Sequence, residues 1–320
     1  MSWLAWRQAR AQTLIALAAV LAVAVAAFAV GRDDTTLRTG LSALVAVVPG
    51  LLGAFWGAPL VAAELESGSF RLAWTQDVSR ARWLTMRLAV TGLATMTVAG
   101  LLSWLVTWWA GPLDRAGLDQ FGWFDSRNIV PVGYAAFAFA LGVLLGVLIR
   151  RTVAGMAATL VVFTAARLAF RLLARPVLLH PATAVLALDP ATTGYGSSGF
   201  LPLMPAASLQ PAAPNLPDSW VTSIAIVDGK GSALAASALS STCPGIGQGR
   251  AAGVGHVQAP QGVVDAMQAC VARIATTYHE VVTYQPAGRY WPLQWYEFGV
   301  FAAAALVLAA ACAWRVRRIG

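Results

Sequence analysis

Residues 128–149 read NIVPVGYAAFAFALGVLLGVLI, twenty-two positions without a charge, closed by Arg127 at one end and the pair Arg150-Arg151 at the other. An α-helix rises 1.5 Å per residue, so about 20 apolar residues cross the hydrocarbon core of a bilayer. The stretch therefore predicts a transmembrane helix. Outward from it the same pattern recurs: charge-free runs cover 11–31 between Arg10 and Arg32, 39–63 between Arg38 and Glu64, and 88–113 between Arg87 and Asp114. A last run opens near Trp291 and ends at Arg315, Arg317 and Arg318.

Between Arg151 and Arg167 only residues 152–166 are charge-free, and Arg171 and Arg175 follow. Arginines in the last turns can extend to the far headgroups, which makes a span of about 23 residues ending near Ala174. A re-entrant segment is the alternative, but it leaves an odd number of spans and breaks the charge pattern described next. The N-terminal run reaches Val30, longer than the roughly 7–15 residues of a signal-peptide core, and reads as a retained span. The expected fold class is an all-α polytopic membrane protein with six transmembrane helices.

Composition agrees. Of 320 residues, 58% are hydrophobic and 11% charged, against about 45–50% and 25% in soluble domains. The net charge of +8 is carried almost wholly by arginine, since Lys230 is the single lysine. These arginines sit at the ends of apolar runs, which points to a lipid bilayer and not to nucleic acid. With the N-terminus inside, the inner segments hold eleven arginines against Glu64, Glu66 and Asp77, whereas the two short outer loops hold four against five aspartates. The positive-inside rule selects this orientation, with both termini cytoplasmic in a multi-pass cell-membrane protein.

The chain divides on this reading into residues 1–175 with five spans, an extracytoplasmic domain over 176–290, and the last span with a basic tail over 291–320. The middle segment is rich in Pro, Gly, Ser and Ala. Within it Val221–Val227 is β-prone and stops at the turn signal Asp228-Gly229, while Val264, Met267, Val271 and Ile274 recur at helical spacing. A small α/β or irregular domain follows.

Motifs for covalent chemistry do not assemble. No G-x-x-x-x-G-K-[ST] occurs, and Gly229-Lys230 runs into Gly231, so the chain lacks its own cradle for ATP phosphates. Gly194, Gly196 and Gly199 have G-x-G-x-x-G spacing but no strand-to-helix context, and read as loop. His180, His256 and His279 lack the spacing to cysteines or acids of a metal site or triad. The expectation is a protein that is not an enzyme and holds neither metal nor cofactor.

The loop after the second span is the most specific segment: Glu64-Leu-Glu66-Ser-Gly68-Ser-Phe70-Arg71-Leu-Ala-Trp74-Thr-Gln-Asp77-Val-Ser79-Arg80-Ala-Arg82-Trp83. It resembles the first cytoplasmic loop of type-2 ABC exporter permeases, which reads like E-x-E-x-G-T, then an apolar piece, then a P-V-S-R-like start to the third span. Ser69 stands here for the threonine and Asp77 for the proline. The order of a Trp/Arg-rich N-terminus, six spans, an Arg150-Arg151 turn and a large outer loop resembles actinobacterial-type members, as does Tyr284–Trp295 entering the last helix.

The resemblance implies a permease subunit of an ATP-driven exporter. Its partners would be a separate ABC ATP-binding subunit, which binds the ATP, and a second permease copy or paralogue. On this view loop 64–83 couples to the ATPase, with Phe70 and Trp74 as apolar anchors, the charged residues as a rim, and Asp77 or Ser79 capping the third helix. An interfacial loop with tryptophans at headgroup level is the plainer reading. A non-transporting scaffold or sensor with a ligand-binding outer domain is the alternative function.

Three further features carry expectations. Arg167, Arg171 and Arg175 share one helix face and Glu297 lies near the outer end of the last span; they make either a basic vestibule for an anionic or amphipathic substrate or a snorkelling Arg–Glu group. Gly53 with Gly57, and Gly142 with Gly146, form small-xxx-small faces, suited to packing within one subunit or at a dimer seam. Cys243 and Cys270 both fall in the external segment, where an oxidising compartment permits a disulfide, or where both stay unpaired.

Overall fold

The computed structural model describes residues 35–67, 80–115, 121–190, 216, 219–242 and 261–318. Five of its helices are long and apolar enough to cross a membrane: Gly40–Ala63, Leu88–Gly111, Val130–Ile149, Thr152–Leu178 and Ala287–Arg315. They coincide with the second to sixth runs of the sequence; the first run, 11–31, lies outside the described residues. The segment with the fewest charge-free positions is thus a helix of 27 residues.

The chain separates into two compact units, Met1–Leu179 with Gly288–Gly320, and His180–Ala287. In the first, α1 (Thr35–Leu52) leads through a π turn, Gly53–Gly57, into α2 (Ala58–Ser67), and together they cover the second apolar run of the sequence, by whose runs the spans are numbered. Helix α3 (Arg80–Arg115) is the third. A 3-10 turn, Phe121–Ser126, precedes α4 (Val130–Ile149). Span five is α5 (Thr152–Ala169), a second π turn at Phe170–Ala174, and α6 (Arg175–Leu178).

Helix α4 is the hub, packed on α1, α2, α3, α5 and the last span. Nothing in its sequence restricts it to one apolar face, as a helix surrounded by others requires. The two glycine faces meet each other here, inside one subunit. A methyl group on Gly142 would strike the Gly53 carbonyl oxygen, one on Gly146 would strike the Ala58 carbonyl, and one on Gly57 would stand 2.7 Å from the Phe139 carbonyl oxygen. Without side chains the two backbones approach closely enough for dispersion and Cα–H···O contacts to hold them.

Only Arg150 and Arg151 separate α4 from α5. Arg150 takes the left-handed conformation, φ 57°, and its N–H closes the helix on Gly146 O at 3.0 Å. Glycine usually fills this capping position, since a Cβ there costs about 1–2 kcal/mol.

The last span belongs to α9 (Tyr290–Arg318), in the same unit. Trp291 and Trp295 are exposed near its start and Trp314 near its end, where Arg318 stacks 4.1 Å from the Trp314 ring centroid. The nineteen residues from Trp295 to Trp314 span about 28 Å, the thickness of the hydrocarbon core, a spacing that suits tryptophans at both interfaces.

The second unit is a three-stranded antiparallel sheet in the order β1-β3-β2, with β1 (Ala182–Ala187), β2 (Trp220–Asp228) and β3 (Tyr278–Gln285). Two helices, α7 (Ala236–Thr242) and α8 (Gln261–Ile274), accompany it. Leu188, Ile226, Leu239, Cys270, Val271 and Ile274 make its core. The β-prone run 221–227 is β2, and the turn signal after it is a tight loop: Asp228 Oδ1 accepts from the N–H of Lys230 at 2.9 Å and of Ser232 at 2.8 Å, and Gly231 supplies φ +83°. Periodicity in 263–275 is α8.

Candidate functional site

Two polar arrangements occupy opposite ends of the span-five helix. At its C-terminal end Arg167, Arg171 and Arg175 converge on Asp125, which the 3-10 turn before α4 presents. An α-helical step of four residues overshoots a full turn by about 40°. The wider π turn at Phe170–Ala174 undershoots it, which brings Arg175 back into line with Arg167. Arg167 and Arg171 approach Asp125 Oδ2 at 3.6 and 3.5 Å, and Arg175 Nη2 bonds Asp125 Oδ1.

Arg175 also grips Glu297 with both ends of its fork, Nε to Oε2 at 2.9 Å and Nη2 to Oε1 at 2.8 Å. The Tyr134 hydroxyl donates to Glu297 and itself accepts from Arg175 Nη2 at 3.3 Å. Arg167 lies 4.7 Å from the Tyr134 ring centroid and bonds the Ala46 carbonyl of α1; Arg175 lies 4.5 Å from the Phe124 ring centroid. Burial alone would raise the Asp125 carboxyl, but the guanidiniums of Arg175 and Arg167 hold it below the ordinary carboxylate value.

Against this cluster packs an aromatic group from spans four, five and six: Tyr134, Phe137 and Phe170 each meet Phe301 at 4.9 to 5.3 Å between centroids. A second polar lattice ties the same 3-10 turn down. Ser103 Oγ donates to Asn128 O at 2.7 Å, Asn128 Nδ2 donates to the Tyr290 hydroxyl at 2.8 Å, and Gln294 Nε2 donates to Phe124 O at 3.1 Å. Three arginines against two carboxylates leave one positive charge. Arg171 is the outlet for it, with 61% of its side chain exposed against 6% for Arg175 and 1% for Glu297.

The four residues named from sequence are therefore brought together, and the partner that organises them, Asp125, was missed along with Tyr134. Asp125 read as one more loop acid. A phenol one turn inside a charge-free span was the signal for Tyr134, because a hydroxyl at that depth needs a partner.

At the other end Glu66, on α2, caps α5. Its Oε2 accepts from Thr152 N at 2.9 Å and Thr152 Oγ1 at 2.8 Å. The Thr152 N–H and then its hydroxyl hold the carboxyl below the ordinary value, with Arg151 adding to the effect. Glu64 lies on the same helix, and Arg80 and Arg82 fall in the first turn of α3. Gly68, Phe70, Arg71, Trp74, Asp77 and Ser79 lie outside the described residues. Cys270 is buried and disulfide-bonded, Cys312 is a buried free thiol, and Cys243 lies outside the described residues. Among the described residues no group of three or more His, Cys, Asp or Glu is placed to hold a metal ion.

No curated protein and no solved structure matches the chain. A family model described as ABC-2 membrane transporter related matches residues 31–175, the segment that carries loop 64–83, Glu66, Asp125, Tyr134 and the arginine row. Residues 31–175 thus resemble an ABC-2 membrane transporter related domain, in a chain whose described residues include five helices long and apolar enough to cross a membrane.

Proposed function

We propose that the protein is the permease subunit of an ATP-driven exporter, that it forms the substrate pathway, and that loop 64–83 couples it to a separate ATP-binding subunit. The family match over residues 31–175 carries this reading, because that segment contains the acidic, glycine-containing loop between two spans. A coupling loop needs apolar anchors that bury in the partner and a charged rim that matters less. Phe70 and Trp74 are those anchors, and Arg71, Arg80 and Arg82 belong to the rim. Phe70→Ala with Trp74→Ala is expected to abolish co-purification of the ATP-binding subunit while membrane insertion stays intact; full ATPase-coupled transport by the double variant would refute the coupling role.

The permease works as a dimer, with itself or a paralogue. At the outer end Arg171 is the group placed to attract an anionic or amphipathic substrate, since it shares Asp125 with the other two arginines but is mostly exposed, whereas Arg167 and Arg175 are largely buried. A scaffold or sensor remains the second reading, favoured by the separate, internally cored unit His180–Ala287. An ATPase that co-purifies in mild detergent distinguishes the two.

The orientation proposed from the arginine bias puts both termini and loop 64–83 in the cytoplasm and 176–290 outside. Cys270 is disulfide-bonded, and the partner proposed for it is Cys243 of the same external segment, where an oxidising compartment permits the bond. In a background otherwise free of reactive thiols, an impermeant maleimide is expected to label Ser232→Cys in intact cells and Ser69→Cys only after lysis. Labelling of Ser232→Cys only after lysis would overturn the orientation and the disulfide together.

A further inference from the structure

Span five is one continuous helical rod, Thr152–Leu178, and each end is held by side chains from elsewhere in the fold. Its first turn has unpaired N–H groups by construction, and a carboxylate placed there satisfies them and complements the helix dipole. The carboxylate comes from Glu66, the second acid of the E-x-E segment and the last described side chain before the loop. It takes two bonds from one residue, Thr152 N and Oγ1, on a single oxygen, Oε2. The rod then runs about 35 Å from Thr152 to Arg175, where Asp125 and Glu297 seize it.

Resting on the coupling role of loop 64–83, we infer that Glu66 is the positioning residue through which that loop drives span five. When the ATPase displaces the loop, α2 and the N-terminus of α5 move together, and the rod carries the displacement to the arginine row. Phe70 and Trp74 hold the partner; Glu66 faces this chain's own helix. The two tasks therefore separate by mutation.

The test uses the full chain in lipid nanodiscs with the ATP-binding subunit that co-purifies with it. Nitroxides at Val177→Cys and Trp104→Cys, both highly exposed in the outer halves of spans five and three, report their distance by pulsed electron resonance before and after trapping with ATP and orthovanadate. In the otherwise unsubstituted chain the distance distribution is expected to shift. In Glu66→Ala the shift is expected to vanish while the subunit stays bound, and Thr152→Val, which keeps the N–H bond and loses the hydroxyl bond, should give an intermediate shift. Glu66→Gln, equal in size but uncharged, should also reduce it and guards against a simple folding defect.

An unchanged shift in Glu66→Ala overturns the inference, as does the absence of a shift in the unsubstituted chain with the subunit bound. Loss of the subunit from Glu66→Ala or Glu66→Gln overturns it too, by making Glu66 a docking residue. If no ATP-binding subunit is retained by the unsubstituted chain, the exporter reading fails first and takes this one with it.

Discussion

Arg175→Met is expected to destabilise the folded bundle by about 3–5 kcal/mol, the cost of leaving a buried charge without its partner. The stranded group is Glu297, whose two oxygens both face Arg175 and whose side chain is 1% exposed. Asp125 suffers less, because Arg167 and Arg171 still reach it. Replacing both sides, Arg175→Met with Glu297→Met, should recover most of the loss, since a buried ion pair exchanged for apolar groups of similar volume is often neutral. Thermal unfolding in detergent, followed by size-exclusion fluorescence, checks the pair. A single variant as stable as the parent would mean that the Arg175–Glu297 pair does not hold the bundle together.

The second large effect belongs to Gly142→Ala. One methyl group there meets the Gly53 carbonyl and lies 3.0 Å from the Ala58 backbone nitrogen, and neither is a side chain that can swing away. Overpacking of this kind costs about 1–3 kcal/mol, and a backbone obstacle places it at the upper end. Gly299→Ala is the control. It also lies within a span, but a Cβ there meets nothing within 4 Å, and alanine is the better helix former by about 1 kcal/mol. The same thermal assay should therefore lower one midpoint and leave the other level or raised. Equal behaviour of the two variants would remove close backbone contact as the reason these helices cross where they do.

Much of the membrane part is readable in sequence because its rule is simple. A charge costs so much in hydrocarbon that charge-free runs mark the helices, as at 128–149 and 88–113. The glycine faces were visible for the same reason, although spacing alone could not choose between a seam within one subunit and a seam between two. What the sequence could not reveal is pairing at a distance. Arg175 meets Asp125 across 50 positions and Glu297 across 122, and no local pattern connects them.

In the second unit β2 announced itself by a β-branched run and a turn, whereas β1, Ala-Thr-Ala-Val-Leu-Ala, has a composition equally suited to a helix and is a strand because β3 pairs with it. Strand β3 had its own signal in Tyr278, Val281, Val282, Thr283 and Tyr284.

The two-residue turn at Arg150-Arg151 bears on how the protein is made. Spans four and five must enter the bilayer as a hairpin, and the hydrophobic fourth carries in a fifth that has arginines on one face. Glu297 is not yet synthesised at that moment. At about 5–20 residues per second, the 122 residues between Arg175 and Glu297 take on the order of ten seconds to emerge. Until the final helix is made, Asp125 is the one acid among the described residues that faces all three arginines, and the polar seam closes only when that helix brings Glu297.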